Sequence, residues 1–261
     1  MINNLDLFAG IGAWHRASLI VNNVFGYCLD DYAPTISIEI DEFVNRIRQS
    51  FNPTKLYTDV KKFHSVVDNL NFLYMSFPCH GTSSMGKREG LTNINSSLFW
   101  HGLRIIEDNK PRNLIIEQPE GIIKNGLTQI LGELENIGYS AAVIMLSARA
   151  FYLPHRRNRV FIIATDSHNL SDRLYRKSRW TNEFRETFEA IRAYSLRVQI
   201  ESGFCQQNDG NCYLTSDYCH DVGIKNYKDR YLMINALSRS IVPFCAAVPI
   251  AFIMRMQLDS L

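Results

Sequence analysis

Cys79 follows Pro78 directly in the run MSFPCHGTSSMGKREG, residues 75–90, at the end of the apolar stretch NFLYMSF. Such a stretch reads as a buried strand. A thiol at its C-terminal end, followed by Gly81, Thr82, Ser83, Ser84, Gly86 and Gly90, is placed as a nucleophile under a loop of small residues would be. A buried structural cysteine is the other reading of the same position. The run LIIEQPEG reads as a strand whose last residue is Glu117, stopped by Pro119, which brings a carboxylate to the sheet edge that carries Cys79. The strand RVFIIA is entered through His155, Arg157 and Arg159, whose alternation points three side chains to one side. Either this is a solvated face, or three donors beside a carboxylate and a thiol hold an anionic or heterocyclic group.

The elements that position these residues follow from periodicity. NLDLF reads as a strand, AGIGA as a tight turn through Gly10 and Gly12, and WHRASLIVNN as a helix; strand, glycine turn and helix N-terminus suit a ligand lying close to backbone N–H groups. Gly-x-Gly alone falls short of a dinucleotide fingerprint. TISIEI is a second strand ending at Glu39, where such folds hold ribose hydroxyls, although 29 positions separate it from Gly10, against about 20 in the usual pattern. DEFVNRIRQSF reads as a helix burying Phe43, Ile47 and Phe51. LYTDV is a third strand with Asp59 at its end, either an adenine neighbour or the N-cap of a helix VKKFHSVVDNL. SSLFWHGLRIIEDN, begun by a serine cap, and IKNGLTQILGELENIG read as helices, and YSAAVIML as a strand. Strands alternating with helices predict an α/β, doubly wound, parallel-rich sheet with its site along the strand C-termini. The last segment reads as a helix after Pro243 that packs back onto the first strands and is kinked by Pro249.

A chain of 261 residues with 46% hydrophobic and 21% charged residues buries roughly 70–75% of its unfolded surface and needs no disulfide staples. The N-terminus lacks a basic start and an apolar signal core, so a cytoplasmic location is expected, with no membrane span. Cys205, Cys212 and Cys219 are spaced by seven, outside zinc-ligand spacing, so no metal is expected. The net charge of +2 excludes little, but residues 173–197 interleave Arg173, Arg176, Lys177, Arg179, Arg185, Arg192 and Arg197 with Tyr175, Trp180, Phe184 and Tyr194. That pattern suits a nucleic-acid surface or, equally, a solvated helix face. Between 166 and 231 the strand–helix alternation breaks down into a polar, basic segment that reads as a small separate module.

Taken in order, DLFAGIGA, strand-end Glu39, FPCH with its small-residue loop, IIEQPEG, PHRRNRV and NALSRSIVP resemble the cytosine-5 DNA methyltransferase family, over residues 5–165 and more loosely 229–257. The size and the short variable region look most like phage or prophage members. The resemblance implies a Rossmann-like, S-adenosyl-L-methionine-dependent catalytic domain formed by residues 1–165 and 232–261, with a small target-recognition module at 166–231. It implies Cys79 as the nucleophile toward carbon 6 of a flipped-out cytosine, Glu117 on N3 and the exocyclic amine, and Arg157 and Arg159 steadying base and loop. Cofactor contacts carry over to Phe8, Gly10, Gly12, Glu39, Ile40, Asp59, Pro78 and Leu98. The partner implied is double-stranded DNA, with the protein a monomer in the cytoplasm; whether a cognate restriction nuclease accompanies it is not inferable.

Several positions depart from the family pattern: His80 and His155 where it has Gln, EQP for Glu-Asn-Val, SRSIVP for Gly-Asn-Ala-Val-x-Pro, and no counterpart of the Arg-x-x-Thr block. A tRNA cytosine-5 methyltransferase on the same scaffold is an alternative, although its Cys-Phe-Thr sequence is missing. A catalytically inactive DNA-binding relative is another; Cys79 and Glu117 argue against it and the altered last motif for it.

Overall fold

The computed structural model describes residues 2–78, 97–166, 177–201 and 241–258. Seven strands form one sheet: β1 (Asn3–Leu7), β2 (Ile36–Ile38), β3 (Lys55–Tyr57), β4 (Leu70–Met75), β5 (Asn113–Pro119), β6 (Tyr139–Ser147) and β7 (Asn158–Asp166). Their order is β3-β2-β1-β4-β5-β7-β6. β1 to β5 pair in parallel and β7 runs antiparallel between β5 and β6. The chain winds outward from β1 to β3, returns, and continues from β4, so the crevice between the ends of β1 and β4 is the switch point where α/β sheets take ligands.

Both sheet faces are buried, which is why the strands read as nearly continuous apolar runs. Along β4, Phe72 and Tyr74 point to one side and Leu73 and Met75 to the other; Ile115 opposes Leu114 and Ile116 in β5, and Phe161 and Ile163 oppose Val160 and Ile162 in β7. The first face is covered by α1 (Ala13–Phe25), by α6 (Lys177–Glu201) and by α7 (Pro243–Leu258), which contains Pro249. The second is covered by α3 (Leu98–Asn109) and α5 (Leu127–Asn136), and α2 (Glu42–Phe51) follows β2. Gly102 lets α3 lie directly on the sheet, since a Cβ there would collide with the sulfur of Met75.

Local expectations change at five places. β5 runs on through Gln118 to Pro119, two residues past the expected last residue Glu117. VKKFHSVVDNL is not a helix: only Val60–Lys62 makes a 3-10 turn, because Arg104 Nη2 donates to the carbonyls of Val60 and Phe63 at 3.3 and 2.8 Å, groups a helix would need for itself. The helix expected over IKNGLTQILGELENIG breaks at Gly126 into α4 (Ile122–Asn125) and α5. Ser97 occupies the N-cap of α3 but its side chain makes no capping bond. On α2 the buried residues are Val44, Asn45, Ile47 and Arg48, with Phe43 only partly covered.

Helix α6 gives the interleaved basic segment two sides. Thr187, Ile191 and Ser195 are fully buried, and Phe184, Phe188 and Tyr194 pack against the core. Ser195 Oγ and Gln199 Nε2 donate to the carbonyl of Phe151 at 2.7 and 2.9 Å. Arg185 and Arg197 lie on the exposed side, and Glu186 pairs with Arg255 of α7. The remainder of the 166–231 segment lies outside the described residues, apart from Asp166 in β7.

Candidate active site

Because β1, β2, β4 and β5 are parallel, their C-terminal ends share one edge, and antiparallel β7 brings its N-terminal end to the same edge. The register sets Pro119 against Arg159 and Glu117 against Phe161. Five sequence segments thereby converge: the glycine turn after β1, Glu39 after β2, Ser76 to Pro78 after β4, Glu117 in β5, and Arg157 with Arg159 at the start of β7.

The glycine turn is a left-handed stretch of backbone. Phe8, Gly10 and Gly12 have φ of 62, 53 and 84°, values that glycine adopts freely and that are sparsely populated for phenylalanine. Such strain survives where the surroundings hold it: Ala9 N donates to Ile38 O at 3.0 Å and Gly10 N to Glu39 Oε2 at 2.9 Å. Thus the insertion between Gly10 and Glu39 does not separate them in space. Glu39 Oε1 accepts from Asp41 N at 2.9 Å and its carbonyl accepts from Asn45 Nδ2 at 2.7 Å. Each carboxylate oxygen keeps a further lone pair for a ligand hydroxyl. Ile40, next in sequence, is 73% exposed, an apolar surface at the rim of the crevice. Asp59 is the N-cap of the 3-10 turn, accepting from Lys61 N at 2.9 Å. Leu98 is half-buried at the first turn of α3, and Pro78 is partly exposed at the last described position before Cys79.

At the other side of the crevice Glu117, 6% exposed, accepts from Arg159 Nε at 2.7 Å. Its carboxyl is raised above the ordinary value of 4.5 by burial, an effect the Arg159 and Arg157 cations and a hydrogen bond from Ser76 oppose. A proton therefore resides on Glu117 more readily than on a surface carboxylate, while two arginines keep the ionised form accessible. Arg159 Nη1 donates to Asn158 O at 2.8 Å, which holds the guanidinium in place. Gln118, 1% exposed, donates from Nε2 to Phe77 O at 2.8 Å and so ties β5 to the backbone two residues before Cys79. That bond accounts for a buried Gln in the altered EQP motif.

His155 and Arg157 precede β7 and are partly buried. Cys79, His80 and the loop 81–95 lie outside the described residues, as do Cys205, Cys212, Cys219 and the segment 232–240. Among the described residues no group of three or more His, Cys, Asp or Glu could hold a metal ion. No helix among them is long and apolar enough to cross a membrane. Sequence reasoning passed over Trp14, Ser76, Gln118 and Arg48. Arg48 is fully buried and donates to Asn45 Oδ1 at 2.9 Å and Thr54 Oγ1 at 2.6 Å, bracing the residue that holds the Glu39 backbone. The one available signal for it was an arginine at helical spacing from Val44 and Ile47.

A family profile described as C-5 cytosine-specific DNA methylase matches residues 2–223. The chain is 28% identical over 212 residues to the Type II methyltransferase M.MspI of Moraxella sp, covering 78% of this chain and 49% of that protein. It is 28% identical over 164 residues to the Type II methyltransferase M.BsuFI of Bacillus subtilis, covering 61% and 38%. The chain thus spans about half the length, or less, of these curated relatives. Among solved structures, the Entamoeba histolytica methyltransferase EhMeth superposes with a TM-score of 0.53 at 20% identity over 63% of this chain and 53% of that one. The S. pombe Dnmt2 methyltransferase does so with 0.50 at 21% over 63% and 51%; both likenesses establish the fold. With one profile running through most of the sequence, and a Rossmann-like sheet shared with solved methyltransferases, the chain belongs to the C-5 cytosine-specific DNA methylase family.

Proposed function

We propose that this chain transfers a methyl group from S-adenosyl-L-methionine to carbon 5 of cytosine in double-stranded DNA. The observation that carries this reading is the buried Glu117–Arg159 pair at the end of β5, one strand from the end of β4, where the sequence runs directly into Pro78 and Cys79. Residues 1–165 and 232–261 are assigned to catalysis and 166–231 to target recognition. The cofactor supplies a methyl group on a sulfonium, the electrophile of the reaction. Gly10 and Gly12, bare of side chains, Glu39 with its spare lone pairs, and exposed Ile40 fit its ribose and adenine, with Phe8, Asp59, Pro78 and Leu98 completing the pocket.

Carbon 5 of cytosine is a poor nucleophile. Addition of the Cys79 thiolate to carbon 6 opens the 5,6 double bond and delivers its electron pair to carbon 5, with charge spreading toward N3. Glu117, whose carboxyl burial raises, holds the proton at N3 and accepts from the exocyclic amine. Arg159 fixes that carboxyl and Arg157 adds positive charge. Once carbon 5 is methylated, a base takes its proton and Cys79 leaves as thiolate, restoring the ring. A free thiol is only a few per cent ionised at pH 7, so the site must favour the thiolate. A stacked base is out of reach, and the target is flipped out at an unstacking penalty of a few kcal/mol.

The test is radiolabelled methyl transfer to duplex DNA and to tRNA in parallel, followed by mapping of the modified base. Label on carbon 5 of cytosine in duplex DNA is expected. Cys79→Ala abolishes it while cofactor binding persists, and Glu117→Gln lowers it by about 100-fold or more. Label in tRNA alone, or unchanged turnover in Cys79→Ala, overturns the proposal.

A further inference from the structure

Ser76 lies in the register step after the Met75–Ile116 pair, which sets it beside Glu117 across the parallel β4–β5 ladder. Two residues after Tyr74 in β4, it faces the side covered by α1, as Glu117 does two residues after Ile115. Trp14, 1% exposed in the first turn of α1, stacks on Tyr74 with ring centroids 4.8 Å apart and meets Phe161 edge-on at 6.2 Å. Packed so, its indole has one orientation, and Nε1 donates to Ser76 Oγ at 3.2 Å.

An indole N–H can only donate, so Ser76 must be the acceptor in that bond. A serine hydroxyl has a single proton, which is left to point elsewhere. The neighbouring acceptor is the Glu117 carboxylate, and a Ser76 hydrogen bond is among the influences favouring its ionised form. We propose that Ser76, oriented by Trp14, is a positioning residue for Glu117, donating its hydroxyl proton to the carboxylate and linking the helix behind the glycine turn to the base-binding carboxyl. One end of β5 is thereby gripped from two sides: Arg159 Nε on Oε1, and Ser76 from the β4 side. The described charged and titratable groups that face Glu117 are Arg159, Arg157 and, from α7, Cys245.

The consequence for methyl transfer rests on the function proposed above, whereas the consequence for the titration of Glu117 does not. The test therefore reads both. The Glu117 carboxyl is followed by carbon-13 NMR in protein labelled at glutamate, assigned by its loss in Glu117→Gln. Ser76→Ala is expected to move the Glu117 midpoint to higher pH and to lower kcat by about tenfold, as for loss of one hydrogen bond to a charged group, with KM for the cofactor unchanged. Ser76→Thr, which keeps the hydroxyl, retains the wild-type midpoint. Trp14→Phe, which keeps a ring and loses the donor, shifts the midpoint in the same direction, and adds nothing further in a Ser76→Ala background. An unmoved midpoint in Ser76→Ala overturns the proposal, and a Trp14→Phe shift that persists undiminished without Ser76 overturns the indole's part in it. A wild-type protein that transfers no methyl group while Ser76→Ala still shifts the midpoint refutes the methyl-transfer function and leaves the positioning intact.

Discussion

Arg159→Met removes the guanidinium from Glu117 and leaves a side chain of comparable length, so it isolates the ion pair. The pair is 2.7 Å long, between side chains 15% and 9% exposed, and without it the carboxylate keeps only Arg157 and Ser76 against the burial that already raises its midpoint. A buried carboxylate deprived of its partner takes up a proton rather than remain charged, which bounds the loss. A carboxyl whose folded midpoint lies above the unfolded one contributes stability that is fully present below the unfolded midpoint, near 4.5, and is lost as pH rises through the folded one. Removing Arg159 raises the folded midpoint further and widens that window upward. At about pH 4.5 the variant and wild type should differ only by packing and by the Arg159–Asn158 bond. Between there and pH 7 the variant should fall behind at up to about 1.4 kcal/mol per pH unit. Urea unfolding followed by tryptophan fluorescence at several pH values from 4.5 to 7.5 measures this. A stability difference that stays flat over the range refutes the reasoning. So does a pH-dependent difference that survives when Glu117→Gln is combined with Arg159→Met.

His15, in the first turn of α1, is lowered by burial, and by Arg16, from 6.5 to about 4. The unfolded chain therefore binds a proton that the folded chain refuses between those values, and stability falls as pH drops through that window, by about 3 kcal/mol. His15→Gln should flatten the stability profile there, measurable by thermal melts from pH 4 to 7; an unchanged slope counts against it. Burial also pushes the Cys245 thiol far up, so alkylation mapped by mass spectrometry should modify exposed Cys28 within minutes and reach Cys245 only at the unfolding rate. Comparable labelling of both would contradict the buried placement of α7.

The sequence by itself determined the strands, most of the helices that lie on the sheet, and the carboxylates at or near the strand ends. A parallel sheet buried on both faces writes itself as apolar runs, and a carboxylate that closes such a run stands out against it. Glu117 at the close of LIIE, and Glu39 after TISI, were legible for that reason. The helix expected over VKKFHSVVDNL was misjudged because local periodicity says nothing of Arg104, 41 positions from Phe63, which takes the carbonyls the helix would use. Arg48 and the inward side of α6 were hidden likewise, since an arginine and an interleaved basic stretch look solvated until a partner or a core appears against them.

Only the tertiary structure decided register, and with it which polar groups meet. Pairing Met75 with Ile116 sets Ser76 beside Glu117, and the antiparallel return of β7 carries Arg159 to the same carboxyl. Slipping either ladder by one residue would turn these side chains to the opposite face with hardly any change in local preference, because side chains in a strand alternate every residue. What each residue can donate or accept is therefore in its chemistry, and whether it finds its counterpart is settled by strand pairing over separations that no local pattern records.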